Sequence, residues 1–119
     1  MKKVLIIEDE QTLTKALVKS LGDNGFEIET AEDGEEGIKK VRSFKPDLVL
    51  LDLILPKMDG FSILAEIKKD PKLGEIKVMV LTNLSDVADK VLKMGASDCL
   101  IKSDFSIDQI KQAIYSKFD

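Results

Sequence analysis

Five short apolar runs, each followed by a segment with helical spacing of apolar residues, constrain this chain more than any other feature. Val4-Leu5-Ile6-Ile7 is apolar throughout and reads as a strand buried on both faces. The next segment places Leu13, Leu17 and Leu21 four apart with Ala16 alongside, one face of a helix, and Gly22-Asp23-Asn24-Gly25 stops it. Phe26 to Thr30 sets Phe26, Ile28 and Thr30 against Glu27 and Glu29, the alternation of a half-exposed edge strand.

The pattern continues to the C-terminus. Asp33 can cap a second helix, with Glu36 at capping-box spacing and Ile38 and Val41 as its buried stripe. Pro46 closes that segment. Asp47-Leu48-Val49-Leu50-Leu51 is the most apolar run and is expected at the centre of a sheet. Ile63, Leu64 and Ile67 mark a third helix ending before Pro71, and Ile76 to Leu81 a fourth strand. Ser85 is expected to cap a fourth helix carrying Val87, Val91 and Leu92, which Gly95 stops. Cys99-Leu100-Ile101 reads as a short fifth strand. Ser106 with Gln109 gives another capping box, before a helix lined by Ile107, Ile110 and Ile114.

Strand and helix therefore alternate five times. Such alternation implies an α/β fold with a parallel sheet and helices on both faces. No internal repeat, low-complexity tract or linker interrupts it. The 119 residues are read as one domain, 1–119, long enough for its own core.

Composition removes several function classes. There is no histidine, which excludes histidine-ligated zinc, Ser-His-Asp triads and Cys-His pairs. Cys99 is the single cysteine, so no intramolecular disulfide can form, which suits a reducing cytosol. Lys and Arg total 18 against 22 Asp and Glu, a net charge of −4, and the lysines are scattered. Direct nucleic-acid binding is not expected of such a surface. No apolar stretch is long enough for a signal peptide or a membrane span, so the expected location is cytoplasmic, with no membrane partner.

Ligands of open parallel sheets bind beyond the carboxyl ends of the strands. Glu8 and Asp9 follow the first strand, Asp52 ends the third, Thr82 and Asn83 follow the fourth, and Lys102 follows the fifth. Singly, an acid after a strand is most often a solvated loop charge or a cap, and a lone lysine a surface lysine. Asp52 differs because Leu50-Leu51 precede it and Leu53-Ile54-Leu55 follow it, and a carboxylate buried there needs a partner. Three carboxylates held together repel: two unit charges ~4 Å apart cost about 4 kcal/mol at an effective dielectric of ~20. One lysine cannot neutralise three acids, whereas a hard divalent cation can, and an all-oxygen site suits Mg²⁺. An ionised aspartate beside such an ion is a usable nucleophile toward phosphorus, with Lys102 and the Thr82 hydroxyl available to the phosphoryl oxygens.

Asp52-Leu53-Ile54-Leu55-Pro56-Lys57-Met58-Asp59-Gly60 closely resembles the phosphoacceptor segment of two-component response regulator receiver domains. Ile7-Glu8-Asp9-Glu10, Lys45-Pro46-Asp47, Leu81-Thr82 and Gly95-Ala96-Ser97 leading to Lys102 resemble the family in order and spacing, over the whole chain. The resemblance implies a flavodoxin-like three-layer sandwich with a five-stranded parallel sheet of order 2-1-3-4-5 and five helices. It implies Asp52 as phosphoacceptor, with Thr82 and Lys102 contacting the phosphoryl group. It also implies Mg²⁺, replaceable by Mn²⁺, on Asp9, Asp52 and the Ile54 backbone carbonyl, with Glu8 acting through water. The implied donor is a phosphohistidine on a sensor histidine kinase or histidine phosphotransfer protein. The implied output is a shift of the face built from helix four, strand five and helix five toward an unknown protein target, with no turnover of an external substrate.

Three positions depart from the family pattern within this switch region. Cys99 stands where the family usually has tyrosine or phenylalanine, so activation is expected to rest on backbone shifts; its plainer reading is a small buried residue. Ser103 replaces the proline after Lys102, so a trans bond is expected there. Asn83 replaces alanine or glycine; it either crowds the pocket and slows self-dephosphorylation or caps the following helix. Three rivals weigh less. A pseudo-receiver would lack pocket groups that this chain has. A phosphatase would need a cap or a general acid over the aspartate. A flavodoxin would need a phosphate cradle where this chain has acids.

Overall fold

The computed structural model describes residues 1–118 and realises the alternation as a five-stranded sheet of order β2-β1-β3-β4-β5. The strands are β1 (Lys3–Ile7), β2 (Glu27–Ala31), β3 (Leu48–Leu51), β4 (Lys77–Thr82) and β5 (Asp98–Ile101), and every neighbouring pair is parallel. The helices are α1 (Gln11–Gly22), α2 (Gly34–Phe44), α3 (Gly60–Lys69), α4 (Ala88–Lys93) and α5 (Ile107–Ser116). A short 3₁₀ turn, Lys102–Asp104, joins β5 to α5.

Side chains alternate across each strand, and here the two faces build two cores. Leu5, Ile7, Val49, Leu51, Val78 and Val80 face α2, α3 and α4, where Val41, Ile63, Leu64 and Ile67 meet them. Val4, Ile6, Leu48, Leu50, Met79 and Leu81 face α1 and α5, where Leu17, Leu21, Ile110 and Ile114 pack. The central strands β1 and β3 are thus buried on both sides, as their unbroken apolar runs require. The alternating segment is the edge strand β2, as its pattern foretold; it runs one residue later than its periodicity suggested, and Phe26 instead stacks on Tyr115 and Phe118 beneath α5.

The caps divide into those that form and those that do not. Ser106 and Gln109 make both halves of the capping box on α5. Asp33 accepts the Glu36 N–H as expected, but the Glu36 carboxylate reaches past it to the Glu32 N–H, so the box is displaced by one residue. Ser85 does not cap α4. That helix starts at Ala88 with no side-chain cap, because Asp86 takes a left-handed backbone (φ 59°) that breaks any earlier turn. Of the three apolar residues expected on it, Val91 is the one fully buried, Val87 lies at the cap position, and Leu92 is 45% exposed.

Candidate phosphoacceptor site

Strand register sets the site. Ile7 pairs with Leu51 in the last rung between β1 and β3. The next residues leave their strands together: Asp52 N–H donates to the Ile7 carbonyl at 3.1 Å, and Glu8 N–H to the Ala31 carbonyl at 3.0 Å. Glu8 and Asp52 therefore emerge side by side at the carboxyl edge, where the chain turns to opposite sides of the sheet after β1 and β3. Asp9 completes the cluster. One carboxylate oxygen from each of Glu8, Asp9 and Asp52 lies within 4.8 Å of the others.

The Asp52 side chain is held at both oxygens. Oδ1 accepts the Leu53 N–H at 2.7 Å and, more weakly, the Ile54 N–H at 3.4 Å. Oδ2 accepts from the Lys102 ammonium at 3.0 Å. Lys102 also lies 2.6 Å from Glu8 Oε1. The other Glu8 oxygen accepts the Glu10 N–H at 3.0 Å, so both oxygens of Glu8 are engaged. Burial raises Glu8 from 4.5 to about 6; the Lys102 and Glu10 hydrogen bonds oppose that rise and the Asp52 charge adds to it. Burial works against the Lys102 charge, but the hydrogen bonds it donates to Glu8 and Asp52, with their negative charges, outweigh burial and raise its pKa above the usual lysine value.

Two glycines shape the loop after Asp52. A Cβ on Gly60 would lie 2.2 Å from the Asp52 carbonyl oxygen, and one on Gly34 would lie 1.8 Å from that of Met58. The loop is stitched at the same points, through Gly60 N–H to the Leu53 carbonyl and Gly34 N–H to the Pro56 carbonyl. Gly60 lies within the segment that resembles the family's, whereas the Gly34 contact carries no readable signal, since Met58 lies in a segment distant in sequence. Glu10 is a second residue that sequence reasoning left without a role; its carboxylate stands 4.0 Å from the Lys102 ammonium.

The remaining expected residues lie around this centre. Thr82 ends β4 fully buried, and its hydroxyl accepts the Leu84 N–H at 3.1 Å. Asn83 caps no helix; its Oδ1 accepts the Ser103 N–H at 3.1 Å. The bond into Ser103 is trans, as are all the others described. Ile54 exposes its side chain, while its backbone stays beside Asp52. Cys99 packs against the layer containing α3 and α4 rather than into the pocket, and burial pushes its thiol pKa up, away from thiolate chemistry.

Residues 4–115 match the family model of the response regulator receiver domain. The chain belongs to that family. The receiver domain is 40% identical over 103 residues to a probable transcriptional regulator, ycf27, of Guillardia theta, a match covering 85% of this chain and 39% of the relative. The chain spans less than half the length of the curated relatives it matches. Among solved structures it is similar to response regulator protein TrrA from Thermotoga maritima in complex with Mg(2+)-BeF, with 34% identity, TM-score 0.84 and 98% of each chain covered. It is also similar to the Mn(2+)-bound form of response regulator Rcp1, with 30% identity, TM-score 0.82, and 94% of this chain and 88% of that one covered. The expected sheet order and the five helices agree with this membership.

The donor set fits a small divalent cation. One oxygen of each carboxylate lies within 4.8 Å of the others, and all the donors are oxygens, the ligand type Mg²⁺ takes. Both oxygens of Glu8 are engaged, by Lys102 and the Glu10 N–H, and both of Asp52, by Lys102 and the Leu53 N–H. Among the described residues, no helix is long and apolar enough to cross a membrane.

Proposed function

We propose that this receiver domain accepts a phosphoryl group on Asp52 from a phosphohistidine donor, in a Mg²⁺-dependent reaction. The observation that carries the reading is the state of Asp52. It is a buried carboxylate at the end of a central strand, fixed by backbone N–H groups on one oxygen and by Lys102 on the other, with two further acids beside it. Phosphoryl transfer asks little covalent chemistry of a protein beyond position and charge, and this geometry supplies both.

In the proposed step, an Asp52 oxygen forms a bond to phosphorus as the P–N bond of the donor breaks, and the departing imidazole keeps the electron pair. Asp9, Asp52 and the Ile54 carbonyl would hold Mg²⁺, with Glu8 reaching it through water; Mn²⁺ could substitute. The ion supplies charge neutralisation for the transferred oxygens. Lys102 then trades its contact with Asp52 for a phosphoryl oxygen, and the Thr82 hydroxyl leaves the Leu84 N–H for another. Moving Thr82 pulls on the loop into α4, which carries the signal to the face of α4, β5 and α5, where a protein target binds. The donor is a sensor histidine kinase or a histidine phosphotransfer protein. No external substrate is turned over, and hydrolysis of the acyl phosphate resets the domain. The net charge of −4 argues that these residues themselves do not grip nucleic acid. A single cysteine, Cys99, suits a reducing, cytoplasmic setting.

The test is intact-mass analysis after incubation with acetyl phosphate and Mg²⁺, with Asp52→Ala alongside. One added phosphoryl group that requires Mg²⁺ and vanishes in the variant is expected. A chain that neither forms the adduct nor binds Mg²⁺ would instead be a receiver fold used solely for protein binding.

A further inference from the structure

The hydrogen-bonded ladder between β4 and β5 ends at Thr82 and Ile101, their last paired residues. Beyond that rung the chains diverge, β4 into the loop toward α4 and β5 into the 3₁₀ turn of Lys102–Asp104. One bond spans the gap: the Ser103 N–H donates to Asn83 Oδ1 at 3.1 Å. A side chain thus supplies the rung that the backbone no longer makes. It lies immediately after Thr82 on one side and immediately after Lys102 on the other.

We infer that Asn83 is a positioning residue for the phosphoryl-transfer site. By tying residue 83 to residue 103 it fixes the 3₁₀ turn from which Lys102 reaches Glu8 and Asp52. The inference rests on the phosphoacceptor reading above. The turn itself is open to solvent: Ser103 and Asp104 are exposed, Phe105 just beyond it joins the core, and Asn83, Lys102 and Ser103 rim an open cleft of about 240 Å³. Lys102 must nonetheless place one atom between two carboxylates at 2.6 and 3.0 Å, and a flexible four-carbon side chain does so best from a fixed backbone. The bond also depends on the residue after Lys102 having an N–H. Serine has one and proline would not, so Asn83 and Ser103 act as a pair.

Three substitutions separate the hydrogen bond from the bulk of the side chain. Asn83→Leu keeps the size and removes the acceptor, Asn83→Ala removes both, and Asn83→Asp keeps an acceptor. Amide hydrogen exchange at Ser103 and the rate of Mg²⁺-dependent adduct formation with acetyl phosphate are both measured. The leucine and alanine variants should each speed Ser103 exchange and slow adduct formation by about fivefold, the equivalent of one hydrogen bond. The aspartate variant should keep Ser103 exchange slow. Faster exchange with unchanged adduct rates would overturn the positioning role, as would a leucine variant that behaves like the parent while alanine differs. If the parent neither forms the adduct nor binds Mg²⁺, the phosphoacceptor reading and the positioning role fall together, while Ser103 exchange still reports separately on the bond.

Discussion

Glu8 and Asp52, at the ends of adjacent strands, share one counterion: the Lys102 ammonium lies 2.6 Å from the first and 3.0 Å from the second. Both carboxylates are buried, 3% and 6% exposed. Neither could stay ionised there without a partner except at considerable expense. Without a divalent ion, the lysine is therefore the neutralising charge of the pocket. A metal entering at Asp52 would compete with it for the charge of that carboxylate.

Removing that lysine should have opposite effects on folding and on metal binding. Lys102→Met leaves two buried carboxylates facing each other, and breaking such a pair costs about 3 kcal/mol. Urea unfolding in EDTA at pH 7 should show a loss of that order, partly restored by saturating Mg²⁺. Calorimetric titration should show tighter Mg²⁺ binding than in the parent. Weaker binding would mean that Lys102 orients the carboxylates for the ion rather than competing with it.

Glu8 gives the metal-free chain a pH signature. Its proton is held to about pH 6 in the folded chain, against an ordinary value of 4.5. The folded state therefore binds more protons than the unfolded state between those values. This group's contribution to stability is greatest below pH 4.5 and is lost as pH rises through 6, a change of about 2 kcal/mol. Gln cannot titrate, so the stability of Glu8→Gln relative to the parent should improve by about 2 kcal/mol between pH 4.5 and 7. Urea melts across that range, in EDTA, check it. A flat difference would mean that Glu8 titrates like an exposed glutamate.

The two glycines at the loop after Asp52 should be intolerant of even one methyl group. At Gly60 the added carbon meets backbone atoms of Asp52 and Leu53 at 2.2 and 2.6 Å, and neither can move without shifting the Asp52 carboxylate. Gly60→Ala should cost about 3 kcal/mol in urea unfolding and weaken Mg²⁺ binding at least about tenfold. Gly22, the last residue of α1, has nothing within 4 Å of the same position. Gly22→Ala should leave Mg²⁺ binding unchanged and stabilise by up to about 1 kcal/mol.

Much of this molecule was legible in its sequence because period and strand order are strong signals. The apolar runs of β1 and β3 announced burial on both faces, and the alternation of β2 announced an edge. Asp52 stood out because it interrupts the most apolar run. What stayed hidden depended on contacts between distant segments. The engagement of both Glu8 oxygens, the Glu10 carboxylate near Lys102 and the close approach of Gly34 to Met58 follow from how loops meet. Asn83 shows the same limit: its neighbours in sequence suggested a cap or an obstruction, and its partner lies 20 residues away. At α4, a left-handed Asp86 overrode a cap that spacing alone made attractive.

Ser85 and Ser106 both stand at positions spaced to cap a helix. Ser106 Oγ accepts the Gln109 N–H at 3.1 Å, and the Ser106 N–H donates to Gln109 Oε1 at 2.8 Å. Replacing it strands two donors at the start of a ten-residue helix, one of them immediately and the other once Gln109 loses its register. Ser106→Ala should therefore lower unfolding free energy by about 1 kcal/mol. Ser85 precedes α4 by three residues, makes no cap bond and lies exposed in the loop. Ser85→Ala should change stability by less than about 0.5 kcal/mol, the range of surface substitutions. Parallel urea melts of the two variants decide the matter. An equal loss in both would place a cap at Ser85 after all, and with it a longer α4 in solution.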